Sequence, residues 1–410
     1  MNGTDPHQPA RRGPGPEPAA AGPAVPGPAG PAAAKPPASG ANLPVLRGHN
    51  TALVLGLLRA AADEGISRLE LAERTGLTPQ AVSKITARLR AEGLAADAGF
   101  RASTGGKPRT VLRLVPGAAH AVGLHLDRDE ATAVLVDLAG RPVAAAAGPL
   151  DLGAPPGEVL AAAVRRVAEV RAAARPGPAE RAGPDGPGAP GGVLGVGVAM
   201  PGPLDHAAGT AGRVTGFPQW DGFLLRAALA ERLGLHVALD KDTNAAALGL
   251  AAPGGGGGSF AYLHLGTGLG AGLVLDGALH RGARTGAGEF GHQVVQLDGP
   301  PCGCGYRGCL EALCLAAVAR GDLGEAARVL GEGAANLVEL LDIDRVVLGG
   351  RTVAAHRERF TAGVAAVLAG RPAGRAPGAV PVTAVEAGAR PVAEGAAHLV
   401  LAPLFGHRLR

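Results

Sequence analysis

One imidazole and three thiols fall close together in this chain: His292, Cys302, Cys304 and Cys309, spaced H-x9-C-x-C-x4-C. That donor set suits a tetrahedral zinc ion. Four protein ligands leave no open coordination position, so the predicted site is structural rather than hydrolytic. Gly303, Gly305 and Gly308 let the chain turn sharply between the ligands. The plainer alternative, ordinary buried cysteines, fits poorly with such density beside glycines. All four cysteines of the chain lie between Cys302 and Cys314. No distant thiol exists to build a disulfide framework, and Cys314 is read as a core thiol on the following helix.

A second constellation carries charge instead of metal donors. Ser67-Arg-Leu-Glu70 is a capping box, in which a hydroxyl and a carboxylate satisfy free amides at a helix start. That helix, Arg68–Thr75, ends at Gly76. Thr78 then caps the next one, with Pro79 at its first position. Ala72, Leu77, Val82, Ile85 and Leu89 supply the apolar face. Helix, glycine turn and capped helix make a helix-turn-helix. Its second helix presents Thr78, Gln80, Ala81, Ser83 and Lys84 near the N-terminal end, where this motif meets base edges and phosphates in the major groove. The two-strand pattern around GGKPR, Gly105 to Arg109, reads as a wing, with Lys107 and Arg109 reaching phosphate or the minor groove. A small helical bundle with solvated charges is the competing reading. It leaves the caps, basic surplus and basic wing unexplained together.

The elements that hold these residues follow from composition and period. The 410-residue chain is 47% hydrophobic, long enough for two or three domains. It has no apolar run of membrane-span length and no signal-peptide order at its N-terminus, which sets the expectation of a cytoplasmic protein without membrane contact. Only ten residues are aromatic, which argues against stacking platforms for single-stranded nucleic acid. The net charge of +4 is uneven: residues 42–114 carry +5, residues 1–41 carry +1, and the remainder is about −2. The basic character sits where phosphate would be met. Residues 1–41, with eleven prolines, are expected to be a disordered tail. Residues 42–116 are the predicted DNA-reading head and 117–410 an α/β domain, interrupted by a flexible loop over 175–192 and a short glycine turn over 254–258. Helical spacing marks Asn50–Ala62, Glu158–Ala174, Leu224–Leu233 and Thr243–Ala251. Strand patterns mark Ala121–Leu126, Ala131–Leu138, Pro142–Ala147, Val193–Ala199, Val237–Asp240, Phe260–Leu265, Gly272–Leu275 and Arg345–Leu348.

From Leu43 onward the sequence resembles the ROK family of bacterial repressors and sugar kinases. The resemblance is carried by LRGHN (Leu46 to Asn50), SRLELAERTGL (Ser67 to Leu77), LGTGLGAG (Leu265 to Gly272), EFGH (Glu289 to His292), CGCGYRGCLE (Cys302 to Glu311) and VVLGG (Val346 to Gly350). It implies a winged helix-turn-helix, the mark of the repressor branch, ahead of an actin- and hexokinase-like domain of two α/β lobes. It also implies a sugar pocket at the cleft base, built from Asp242, Glu289, His292 and Glu311, with Asp242 at the position of the kinases' catalytic base.

The phosphate-binding half of that machinery is altered. Family kinases carry an Asp-x-Gly-Gly-Thr turn after the first strand; here the stretch is His125-Leu-Asp-Arg-Asp129. Without the glycines, backbone amides cannot approach phosphate closely, and Asp127 and Asp129 are expected to repel it. Lys241 replaces the asparagine before the base, and Gly216 replaces an asparagine before Trp220. The chain between Glu311 and Gly321 is also shorter than in relatives. The glycines of LGTGLGAG and VVLGG serve strand turns and helix packing as readily as ATP. The expected protein is therefore a non-enzymatic repressor of sugar-related genes, a homodimer or homotetramer on double-stranded operator DNA, responding to a sugar or sugar phosphate. An active sugar kinase with a regulatory head, and a regulator controlled by a protein partner, are the alternatives.

Overall fold

Two five-stranded sheets of the same pattern build the larger part of the molecule, and a small three-stranded sheet with three helices precedes them. The computed structural model describes residues 43–101, 109–173, 192–251, 258–371 and 380–406. The tail over 1–41, almost all of the 175–192 loop and of the glycine turn, and Lys107 lie outside these residues.

The head runs α1 (Leu43–Ala60), β1 (Ile66–Ser67), α2 (Arg68–Thr75), α3 (Pro79–Ala91), β2 (Ala95–Arg101) and β3 (Arg109–Leu114). Its caps are those read from the sequence. Ser67 Oγ accepts from the Glu70 amide at 3.3 Å, and Glu70 Oε2 accepts from the Ser67 amide at 2.8 Å. Gly76 turns the chain in the left-handed region at φ 68°, and Thr78 Oγ1 accepts from the Ala81 amide at 3.2 Å. β2 and β3 pair antiparallel, and β1 adds on the other side of β3. α1 starts seven residues before the helical spacing, at Leu43, and ends at Ala60.

The first lobe follows: β4 (His120–Leu126), β5 (Glu130–Asp137), β6 (Pro142–Pro149), α4 (Pro156–Arg171), β7 (Val193–Met200), the hairpin β8 (Leu204–Asp205) and β9 (Thr210–Ala211), α5 (Leu225–Leu233) and β10 (Val237–Lys241). The sheet order is β10-β7-β4-β5-β6, parallel on the β10-β7-β4 side and antiparallel beyond. β4 and β7 lie inside, which explains their almost unbroken burial. α6 (Asp242–Ala251) leads into the second lobe: β11 (Phe260–Leu265), β12 (Leu269–Leu275), β13 (Ala278–His280), α7 (Leu310–Ala319), α8 (Leu323–Leu341), β14 (Arg345–Gly349), α9 (Arg351–Ala355), α10 (Arg357–Gly370) and β15 (Val382–Ala384). Its order, β13-β12-β11-β14-β15, repeats the first lobe's arrangement. The strand positions read from the sequence hold, with ends shifted by a few residues.

α11 (Pro391–Leu401) closes the described chain with a short turn, Ala402–Phe405. It packs on β4 and β7 on one side and on α6 on the other. Its last residues, Val400 and Leu401, share one buried cluster with Phe405, with Val54, Leu55 and Leu58 of α1 and with Val134 and Val136 of β5. Head and first lobe are thus joined by a continuous apolar core, within the single compact unit that starts at Pro44.

Candidate effector cleft and nucleic-acid interface

The four residues expected at the cleft base do come together. Asp242, Glu289, His292 and Glu311 line one cavity of about 100 Å³ between the two sheets. β10 ends at Lys241, so Asp242 opens α6 at the mouth of the first lobe, its Oδ1 accepting from the Thr243 amide at 2.6 Å. Glu311 sits in the first turn of α7, and its Oε2 accepts from the Leu269 amide at 2.8 Å. Glu289 precedes the short turn Phe290–His292 that carries the histidine. Carboxylates and imidazole grip hydroxyls through paired hydrogen bonds, so this set can read hydroxyl geometry.

Beneath it lies a pairing that the sequence reading missed. Asp240 is fully buried; its Oδ2 accepts from Arg281 Nε at 2.6 Å, and its Oδ1 accepts from the Lys241 amide and the Asn244 side chain, each at 2.8 Å. The Asn244 contact, four residues on in DKDTN, had a local signal; Arg281 had none. Lys241 is not a bystander either. Its Nζ donates to the Ala287 carbonyl at 2.5 Å and pairs with Glu289 Oε1 at 3.0 Å, anchoring that carboxylate from the first lobe. Trp220 is a packing residue: its indole donates to the Leu152 carbonyl at 3.0 Å and its ring meets Phe223 edge-on.

A larger cavity of about 460 Å³ adjoins the first, lined by His125, Asp127, Asp129, His264, Gly350 and Arg351 among others. Here one expectation needs correcting. Asp127 and Asp129 do not face the cleft as bare carboxylates. Arg351 donates from Nη2 to Asp127 Oδ2 at 2.7 Å and to Asp129 Oδ1 at 2.6 Å, and from Nη1 to Asp129 Oδ2 at 2.7 Å. The hydrogen bond from Arg351 holds the Asp129 carboxyl below its usual range. Burial works to raise Asp127, but His125, the Arg128 amide and Arg351 together bring it down. Burial keeps His125 below the ordinary histidine value. The guanidinium of Arg128, on the same turn, rests on the Phe217 ring at 5.4 Å and lines the smaller cavity. In LGTGLGAG the packing role is visible: a Cβ at Gly272 would stand 2.1 Å from the Thr243 carbonyl oxygen.

His292, Cys302, Cys304 and Cys309 converge, with ligand atoms all within 4.8 Å of one another. Cys304 and Cys309 Sγ are 3.7 Å apart, and Cys302 Sγ is 3.8 Å from His292 Nδ1. Gly308, at φ 66°, allows the knuckle: a Cβ there would overlap the Gln296 carbonyl oxygen at 1.6 Å. Burial, with the Cys304 and Cys302 thiols, pushes the Cys309 thiol up to about 12. A bound cation would reverse that and take the thiolate. One imidazole and three convergent thiols fit a metal ion. Cys314 stays apart on α7, its thiol directed at the Ala326 carbonyl.

On the head, Thr78, Gln80, Ser83 and Lys84 are exposed along the first turns of α3; Ala81 is only partly so, tucked beside the buried Val82. Arg109 is the first residue of β3. No helix among the described residues is long and apolar enough to cross a membrane.

Comparison with known proteins agrees with this architecture. Residues 185–319 match the model of the ROK family, and residues 53–95 that of a winged helix-turn-helix DNA-binding module. The xylose repressor of Caldicellulosiruptor bescii is 28% identical over 248 residues, 60% of this chain and 59% of the repressor, so the chain spans about three fifths of that relative's length. The glucokinase of Thermotoga maritima is 43% identical over 133 residues, 32% of this chain and 42% of the kinase. Among solved structures, a ROK family transcriptional regulator described as a homologue of the Escherichia coli MLC protein superposes with a TM-score of 0.67 over 89% of this chain and 98% of its own, at 20% identity, a likeness of fold. The chain carries a ROK family domain behind a winged helix-turn-helix head and is homologous to the xylose repressors.

Proposed function

We propose that this chain is a DNA-binding transcriptional regulator, a repressor of sugar-related genes, whose operator affinity responds to a sugar or sugar phosphate held between the lobes. The observation that carries this reading is the convergence of Asp242, Glu289, His292 and Glu311 on one cavity in a unit whose core continues into the head. Asp242 opens α6, α6 packs along α11, and α11 ends in the cluster that holds α1. A ligand that favours one lobe arrangement over another therefore biases the position of the head, which is what an effector must do.

In this reading Thr78, Gln80, Ala81, Ser83 and Lys84 enter the major groove of double-stranded operator DNA, and Lys107 and Arg109 hold its backbone. His292, Cys302, Cys304 and Cys309 would hold a zinc ion, which, when bound, ties the turn carrying Glu289 to the start of α7 carrying Glu311. Asp242 serves as a sugar ligand and not as a base. The rebuilt turn at His125–Asp129 offers no glycine amides to phosphate, and removal of one such donor typically costs ~10²–10³ in rate. A homodimer or homotetramer in the cytoplasm, reading paired half-sites, completes the proposal. The likeness to a glucokinase favours a second reading, an active sugar kinase with a regulatory head. DNA affinity selection with the full chain, repeated with sugars and sugar phosphates, tests the first reading. Phosphate transfer from ATP to the same panel tests the second.

A further inference from the structure

Two kinds of ion pair span the lobes, and they differ in burial. At the cleft floor, Asp240 of β10 and Arg281, just after β13, are 0% and 2% exposed, while beside them the 3%-exposed Lys241 reaches a Glu289 that is 46% exposed. The Asp240–Arg281 pair cannot part without leaving an uncompensated buried charge, a loss that is strongly destabilising. It behaves as the fixed side of a hinge. At the rim, Arg351, Asp127 and Asp129 are 46%, 19% and 59% exposed. Water can replace those hydrogen bonds when the pair separates, so this contact can open and close.

The rim contact is also well made. Arg351 is the first residue of α9, directly after β14 of the second sheet. The two aspartates flank the turn that follows β4 of the first sheet. One guanidinium grips Asp129 through both oxygens and Asp127 through a third bond, all within 2.6–2.7 Å. Bidentate guanidinium–carboxylate geometry of this kind is among the stronger polar contacts. Nothing local demands it, since more than 220 residues separate the partners.

We propose that Arg351 with Asp127 and Asp129 forms a latch across the lobes, holding the cleft closed without help from any third molecule and releasing it reversibly. The closed cleft brings Arg128 and Lys241 of the first lobe against Glu289 and Glu311 of the second, so the latch raises effector affinity; only this last consequence rests on the function proposed above. The latch gives way to salt, because its ions are exposed.

The test is small-angle scattering and hydrogen exchange of the full chain, without any sugar, at low salt and at about 0.5 M salt. Arg351→Ala is expected to enlarge the radius of gyration and speed exchange over residues 125–131 and 349–355. Wild type at high salt should move the same way, and Arg351→Lys should fall between. Asp127→Asn with Asp129→Asn reaches the same contact from the other lobe and keeps the test alive should Arg351→Ala fold poorly. Adding Arg351→Ala to that pair should change nothing more. Wild-type dimensions and exchange in Arg351→Ala, or fully additive effects, would overturn the latch. Calorimetry with a sugar panel then reads about a five- to tenfold loss of affinity in Arg351→Ala. If wild type binds no sugar while the scattering and exchange results hold, the latch stands and the effector reading falls.

Discussion

Phe405→Ala should uncouple the DNA head from the cleft. Phe405 is 5% exposed and belongs to the cluster that includes Val54, Leu55 and Leu58 of α1 and Val400 and Leu401 of α11. The backbone of α1 comes so close that a Cβ at Gly56 would stand 3.1 Å from the Phe405 carbonyl oxygen. The Arg59 guanidinium lies over the ring at 4.7 Å, and burial, against the pull of Asp137, brings that group down to about 10. Truncating a buried phenylalanine typically costs about 3–5 kcal/mol, and the lost ring contact with the buried Arg59 cation adds about 1 kcal/mol. At about 4 kcal/mol, the low end of that sum, local opening of the head becomes on the order of a thousandfold more frequent. Hydrogen exchange across α1, α2 and α3 should accelerate by that factor while the second lobe stays as it is. Operator binding should persist, because the exposed face of α3 is untouched, but its response to effector should largely vanish. Unchanged exchange in the head, or a full effector response in Phe405→Ala, would refute the reasoning.

Lys84→Ala should weaken binding to every DNA sequence and lower the salt slope by roughly one, whereas Gln80→Ala should relax preference at a single base pair; titrations at several salt concentrations separate the two. Cys304→Ser should abolish stoichiometric zinc, read by elemental analysis, and lower the melting temperature; equal zinc in both proteins would count against the assigned ligands. Burial holds His120 and His125 below the usual histidine value of 6.5. The unfolded chain therefore takes up those protons first as pH falls, so their contribution to stability is full above about pH 6.5 and is lost below it. Melting at pH 5.5 should come earlier than at pH 7.5, and equal melting temperatures would contradict the burial argument. The depressed carboxylates Asp127 and Asp129 do not confuse this window, since they lose their contribution only at lower pH.

What the sequence revealed follows the range of the forces involved. Ser67, Glu70, Gly76 and Thr78 act within a few residues of themselves, so the helix-turn-helix could be read directly. The four metal-ligand candidates could be read for the same reason. β4, β7 and β11 announced themselves as apolar runs. α11 did not: every residue from Gly395 to Leu401 is buried, as are Val392 and Ala393, so the helix is covered on all sides and leaves no one-sided period to detect. The pairs Asp240–Arg281 and Asp127–Arg351 join residues 41 and 224 positions apart. Only the folded lobes bring them together, and so Asp127 and Asp129 read as bare negative charge until Arg351 was seen between them.

The central claim, that the cleft is a sensor and not a catalyst, is tested most directly on one preparation of the full chain. Operator affinity is measured against a panel of sugars and sugar phosphates, and the same panel is assayed for phosphate transfer from ATP. The expected result is one ligand class that shifts operator affinity by about fivefold or more, with no turnover of any member. Phosphorylation at ~1 s⁻¹ or faster, or an operator affinity that no member of the panel moves, would contradict it.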